Sequence, residues 1–357
     1  MLNFAVGPVM MSEEILKIGS EQIPYFRTDD FSKIMLENEL LLKKHIKSSD
    51  SSRVVFLTGS GTAAMEATVL NLFNKNDRIL VVNGGSFGRR FKEICDIYEL
   101  TSEEICLEYG ESLTKKHLEK YEGKKFTGFL INVHETSTGV LYDMNLVKDF
   151  CRRNNLFLVV DAISSFLADH YGMTQYNANA TILSSQKALA LPPGMSFVVL
   201  DERAQERIVS NRVQSLYFNF KNYLLDGERG QTPYTPAVGT LLQLRKRLQE
   251  IDEIGVANIV NKVAGLAKDF RSKIKGLPLD IATQNLSNAV TPLKAKGKAP
   301  ANEIVERLKN EYDIFVCPNG GQLSKILFRV GHIGAITEDD NNVLVKALFD
   351  MYEKGVL

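Results

Sequence analysis

Six short segments restrict what this chain can fold into. "RVVFLTGSG", "DRILVVNGG", "TGFLINVHET", "NLFLVVDAISS", "ATILSSQK" and "MSFVVLDE" follow one another from about residue 54, each rich in Val, Ile, Leu and Phe. Several are apolar on consecutive positions, the mark of strands covered on both faces rather than wetted on one. Most are separated by enough sequence for a helix, as at 63–73 and 146–154. Strands alternating with helices predict βαβ units, and so an α/β fold around a mostly parallel sheet.

The pattern changes after residue 236. A long helical stretch over about 239–274 leads into a smaller α+β segment that contains "KILFRVGHIG" and a closing helix. A chain of 357 residues suits two lobes, since domains usually hold roughly 100–200 residues. "LKAKGKAPANE" reads as a solvated loop or the entry to a helix.

Composition narrows the function classes. Lys plus Arg and Asp plus Glu both number 43, so no net field draws the protein to nucleic acid or anionic lipid, and a small-molecule substrate is expected. The start, "MLNFAVGPVMMSEE", has no basic region, and Gly7 and Pro8 interrupt its apolar residues, against a secretory signal. No apolar run suggests a membrane span. Cys95, Cys106, Cys151 and Cys317 stand far apart, which argues against a disulfide framework or a zinc site and favours a reducing cytoplasm, with no metal expected. Cys317, before Pro318, reads as a small buried hydrophobe or as a reactive thiol.

Three features carry chemistry. In "FLTGSGTAAMEA" a strand ends at Thr58, Gly59 and Gly61 permit a tight turn, and a helix begins at Thr62. Free N–H groups and the positive end of the helix dipole make such a start a phosphate cradle. The same residues satisfy G-x-G-x-x-G/A, so a nicotinamide enzyme is a rival reading. The second strand of a dinucleotide fold should close on an acidic residue, whereas "RILVVNGG" closes on Asn83 and two glycines. Asp161 ends the buried strand of "NLFLVVDAISS", where open α/β sheets place ligands, and Lys187 follows the strand of "ATILSSQK". An acid that keeps a heterocyclic nitrogen protonated and an amine that forms an imine are the groups pyridoxal phosphate requires. Phe87, in "VVNGGSFGRRF", is placed to lie flat on a ring. Arg329, interrupting the apolar "ILFRVGHIG", needs an anion: a substrate carboxylate or an internal partner.

Taken in order, "FAVGPVMMSEE", "GSGTAAMEA", "NGGSFGRR", "HETSTGV", "DAISSF", "SSQKALALPPG", "TPYTPAV" and "FRVGHIG" resemble the class V aminotransferases of the fold type I pyridoxal phosphate group. The resemblance is strongest to the alanine–glyoxylate and serine–pyruvate enzymes, and extends to the 2-aminoethylphosphonate–pyruvate transaminases. It implies a seven-stranded-type sheet in a large cofactor-binding domain over 12–238. It also implies a small C-terminal domain over 239–357, with which segment 1–11 associates. Lys187 would form the Schiff base with pyridoxal 5'-phosphate and shuttle a proton, and Asp161 would pair with the ring nitrogen. Ser60, Gly61, Thr62 and Gln186 would hold the phosphate, Phe87 and Ile163 would cover the two ring faces, and Thr136 would reach the 3-hydroxyl. Arg329 would hold the substrate carboxylate. The family is dimeric, so Thr235, with Thr232 where many relatives carry tyrosine, would reach the neighbouring subunit's phosphate. The expected activity is transfer of the amino group of a small amino acid, alanine or serine, to glyoxylate or pyruvate, or else 2-aminoethylphosphonate–pyruvate transamination. Cysteine desulfuration through Cys317, nicotinamide oxidoreduction and a non-catalytic binding role are the competing readings. His134 reads as a packed strand-end residue.

Overall fold

The computed structural model describes residues 1–357. Its strands are β1 (Leu2–Phe4), β2 (Arg53–Thr58), β3 (Arg78–Asn83), β4 (Thr101–Cys106), β5 (Gly128–Asn132), β6 (His134–Glu135), β7 (Val140–Leu141), β8 (Phe157–Asp161), β9 (Ala180–Ser184), β10 (Met195–Leu200), β11 (Leu279–Ile281), β12 (Val290–Ala295), β13 (Ile314–Pro318) and β14 (Leu327–Gly331). All six apolar segments form strands of one seven-stranded sheet, in the order β2-β10-β9-β8-β5-β3-β4. Only β10 runs against its neighbours, β2 and β9, and the remaining pairs are parallel.

Consecutive apolar residues along these strands feed two cores, as the sequence pattern predicts. Phe56, Val82, Ile131, Val160 and Phe197 face one layer of helices, while Leu57, Val81, Leu130, Val159 and Val198 face the other. Phe197 is fully buried, and truncating such a residue costs about 3–5 kcal/mol. The seventh strand, β4, was not among the predicted ones. It sits at the sheet edge with a half-exposed "TSEEIC" pattern, so burial imposes no apolar run on it.

The smaller sheet has the order β1-β13-β14-β12-β11, with β1 parallel to β13. The first strand of the chain thus pairs with one near its end. The helical stretch at 239–274 is two helices, Val238–Ile254 and Val256–Lys273, because Gly255 between them adopts φ +86°, a left-handed conformation that glycine tolerates and a helix cannot continue through. The first of these packs on the helix Asp29–His45, where Asn38 Nδ2 donates to the Leu241 carbonyl at 3.1 Å. Its Leu241, Leu244, Leu248 and Ile251 join the core of the large sheet. The "LKAKGKAPANE" stretch closes β12 and enters the helix Ala301–Tyr312.

Strands β2, β3, β5, β8 and β9 all point the same way, so their carboxyl ends share one sheet edge. Residues just past those ends form the site.

Candidate active site

One cavity lies against that edge, about 510 Å³ of open space counting its mouth, lined among others by Ser60, Gly61, Thr62, Phe87, Thr136, Asp161, Ile163, Gln186 and Lys187. Nine residues predicted from separate stretches of sequence are therefore neighbours, joined by Met65, Arg90, His134 and Ser164.

At one end the helix Gly61–Leu72 points its start at the cavity. Ser60 is its N-cap, and the Ser60 hydroxyl accepts from the Ala63 amide at 3.4 Å. The amides of Gly61 and Thr62 lie in the first turn, where no intrahelical acceptor exists. A Cβ on Gly61 would stand 2.5 Å from Ile163 Cδ1, so glycine lets Ile163 close over the helix start. This is a cradle for an anion.

Asp161 ends β8, is nearly buried, and makes one hydrogen bond, accepting from the Ile163 amide through Oδ1 at 2.8 Å. Burial raises its pKa to about 6; the Ile163 amide, Lys187 and Arg90 oppose the rise, and Glu135 adds to it. Lys187 follows β9, and Nζ donates to the Val6 carbonyl at 2.8 Å. Burial lowers its pKa to about 8, with Cys317 and Asp161 pulling back upward. The amine is thus nearer neutrality than a surface lysine, as a nucleophile requires. Segment 5–10 crosses the site here: the Val9 amide donates to the Gln186 carbonyl at 3.3 Å. Gln186 accepts from Ser184 Oγ at 2.5 Å.

Phe87, half-buried in the wall, begins a helix held by a carboxylate the sequence did not single out. Glu135 is fully buried and accepts from the amides of Phe87 (3.4 Å), Gly88 (3.0 Å) and Ser137 (3.1 Å), from Ser137 Oγ (2.5 Å), and from Asn132 Nδ2 (3.1 Å). Five donors and the positive end of the helix Ser86–Ile97 compensate the burial of its charge. Arg90 lies over the Phe87 ring at 5.0 Å.

Arg329, on β14, does not line the cavity wall directly. Its Nη1 donates to the Thr136 carbonyl at 3.0 Å, and its Nη2 to the Pro318 carbonyl at 2.6 Å and to Cys317 Sγ at 3.2 Å, leaving only buried Nε unpaired. Thr235 is exposed and apart from this cavity, while Thr232 is buried and donates to the Tyr234 carbonyl at 2.7 Å. Arg27 braces the same loop from outside, bonding the Thr232 carbonyl at 3.0 Å.

Residues 25–330 match the aminotransferase class-V family profile. The chain belongs to the class V aminotransferase family. This class V aminotransferase is 29% identical over 96% of its length to a protein named soluble hydrogenase, small subunit, of Synechococcus sp. strain PCC 6716, covering 90% of that protein. It is 25% identical over 94% of its length to the L-aspartate–glyoxylate aminotransferase of Paracoccus denitrificans, covering 87% of it. The solved structure of a Thermus thermophilus aspartate aminotransferase superposes with a TM-score of 0.92 at 25% identity, each chain covering 100% of the other. Family membership sets aside the dinucleotide reading of Gly59–Ala64. No helix of the aminotransferase is long and apolar enough to cross a membrane.

Proposed function

We propose that this aminotransferase holds pyridoxal 5'-phosphate in the cavity between Lys187 and Asp161. In this reading it moves the amino group of a small amino acid, of the alanine or serine type, to glyoxylate or pyruvate. The observation that carries the reading is the meeting in one cavity of a buried amine, a buried carboxylate and an open helix start. Each suits one part of that cofactor: Nζ its aldehyde, the Asp161 carboxylate its ring nitrogen, the amides of Gly61 and Thr62 with Ser60 and Gln186 its phosphate. The occurrence of a glyoxylate aminotransferase among the relatives supports the acceptor.

When bound, the cofactor supplies an electron sink for the charge left on a substrate carbon that loses its proton. The protein's part is positional and protonic. Asp161, a carboxylate above pH about 6, would favour a proton on the ring nitrogen. Phe87 and Ile163, which both line the cavity, would cover the ring's two faces and exclude water. Lys187 Nζ would hold the cofactor through its aldehyde carbon and would be the base that takes and returns a proton at the substrate Cα. Its lowered pKa leaves it a base near neutral pH. Arg329 would turn its guanidinium to the substrate carboxylate.

The same reading includes a lobe division near residue 238 and a homodimer. Exposed Thr235 would reach a second copy's phosphate, and exposed Tyr25, Leu216 and Leu225 offer apolar surface for pairing. A donor panel of alanine, serine, aspartate and 2-aminoethylphosphonate, followed by loss of the bound cofactor's visible absorption, tests the substrate class. Reaction with alanine or serine is expected. Reaction with 2-aminoethylphosphonate alone would replace the reading with the phosphonate one.

A further inference from the structure

Cys317 and Arg329 stand opposite each other in the antiparallel pair of β13 and β14, so their side chains leave the sheet on one face. Arg329 is 8% exposed, and Cys317 is half-buried. The Lys187 pKa, lowered by burial, is pulled back upward most by Cys317. The sulfur thus lies near the reactive amine as well as beside the arginine.

Covalent geometry decides how a carboxylate can be held here. A guanidinium offers parallel N–H pairs along two of its edges, Nε with Nη2 and Nη1 with Nη2, because the side chain's own Cδ closes the third. Every two-point grip on a carboxylate therefore uses Nη2. That nitrogen has two protons and both are engaged, one by the Pro318 carbonyl at 2.6 Å and one by Cys317 Sγ at 3.2 Å. Nη1 donates to the Thr136 carbonyl at 3.0 Å and has a second proton to give, while Nε has no acceptor. What either fork lacks is one free N–H on Nη2.

The two acceptors on Nη2 differ in strength. The Pro318 carbonyl is close and fixed by the backbone, whereas a thiol sulfur is a weak acceptor on a side chain that can turn. A carboxylate binds a guanidinium through charge-assisted bonds, roughly twice as strong as neutral ones. The contact it displaces most easily is the one to sulfur.

We propose that Cys317 is a positioning residue that sets affinity for the amino acid: its sulfur occupies the Arg329 N–H that the substrate carboxylate must take, and moves off it when substrate binds. The inference rests on the reading of Arg329 as the holder of that carboxylate. It requires no reaction at the thiol, only competition with substrate for one donor.

The test compares amines with and without a carboxylate. Holoprotein of the wild type, Cys317→Ala and Cys317→Ser is titrated with alanine, serine and ethylamine, and apparent dissociation constants are read from the bound cofactor's visible absorption. Cys317→Ala should bind the two amino acids about three- to tenfold more tightly than wild type, the scale of one hydrogen bond, and ethylamine equally. Cys317→Ser restores an acceptor and should bind the amino acids no more tightly than wild type. Amino-acid binding that is unchanged in Cys317→Ala, tightened equally in Cys317→Ser, or shifted in step with ethylamine overturns the inference and leaves the reading of Arg329 standing. Arg329→Lys separates the two: if it binds alanine and serine as wild type does, the carboxylate is held elsewhere and both fall. Wild-type holoprotein whose absorption neither amino acid changes overturns the proposed function as well.

Discussion

Asp161→Asn in the cofactor-free protein separates what is good for folding from what is good for function. The carboxyl is buried with one hydrogen-bond donor and no bonded cation, and its pKa rises from 3.8 to about 6. At about 1.4 kcal/mol per tenfold change in proton affinity, that displacement is worth about 3 kcal/mol. The sign follows from linkage. Below pH 3.8 the group is protonated in both folded and unfolded chains and carries no penalty. Between there and about pH 6 the unfolded chain ionises first, and stability falls. Above about 6 the loss is constant. Asparagine keeps the oxygen that accepts from Ile163 and has no charge to bury. Urea unfolding of the apoproteins at pH 5 and pH 8 should show the variant more stable, by up to about 3 kcal/mol at pH 8 and by less at pH 5. The same variant should lose most of its transaminase activity. An Asp161→Asn apoprotein no more stable than wild type at pH 8 would refute the claim that this carboxylate is held at a folding cost for a cationic partner.

Gly7 adopts φ +132°, and a Cβ there would lie 2.6 Å from Lys187 Cδ and 2.8 Å from Nζ. Gly7→Ala should therefore lower the rate at which apoprotein binds pyridoxal phosphate covalently, at a cost in stability of about 1–2 kcal/mol, followed by absorbance and thermal unfolding. Glu135→Gln places an NH₂ group among five donors and should destabilise the protein by about 1–3 kcal/mol, with weaker cofactor retention on dialysis as the Phe87 backbone loosens. Covalent capture of the cofactor needs a neutral Lys187, whose pKa is about 8. Its rate should rise with pH through about 8, while an amine with the ordinary 10.5 would still be gaining rate above pH 9.

The sheet was legible because burial on both faces writes itself into sequence as runs such as "FLVV", and Lys187, Asp161 and the Ser60–Thr62 turn because strand ends in such sheets converge. Edge strand β4 left no such trace, since water on its open side permits Thr101 and Glu103. The break at Gly255 was hidden by helical periodicity that continues on both sides of one residue. Glu135 escaped for a different reason: it holds the start of the helix that carries Phe87, 48 residues away, a pairing that no local pattern encodes. The contact of Lys187 with the Val6 carbonyl spans 181 residues and shows how the chain's first strand, docked on β13, delivers segment 5–10 to the amine.

Reductive trapping tests the central claim most directly. Holoprotein treated with borohydride, digested and mapped by mass spectrometry should carry the pyridoxyl phosphate mass on the peptide containing Lys187 and on no other. A label on a different lysine, or none despite a bound cofactor, would contradict the account.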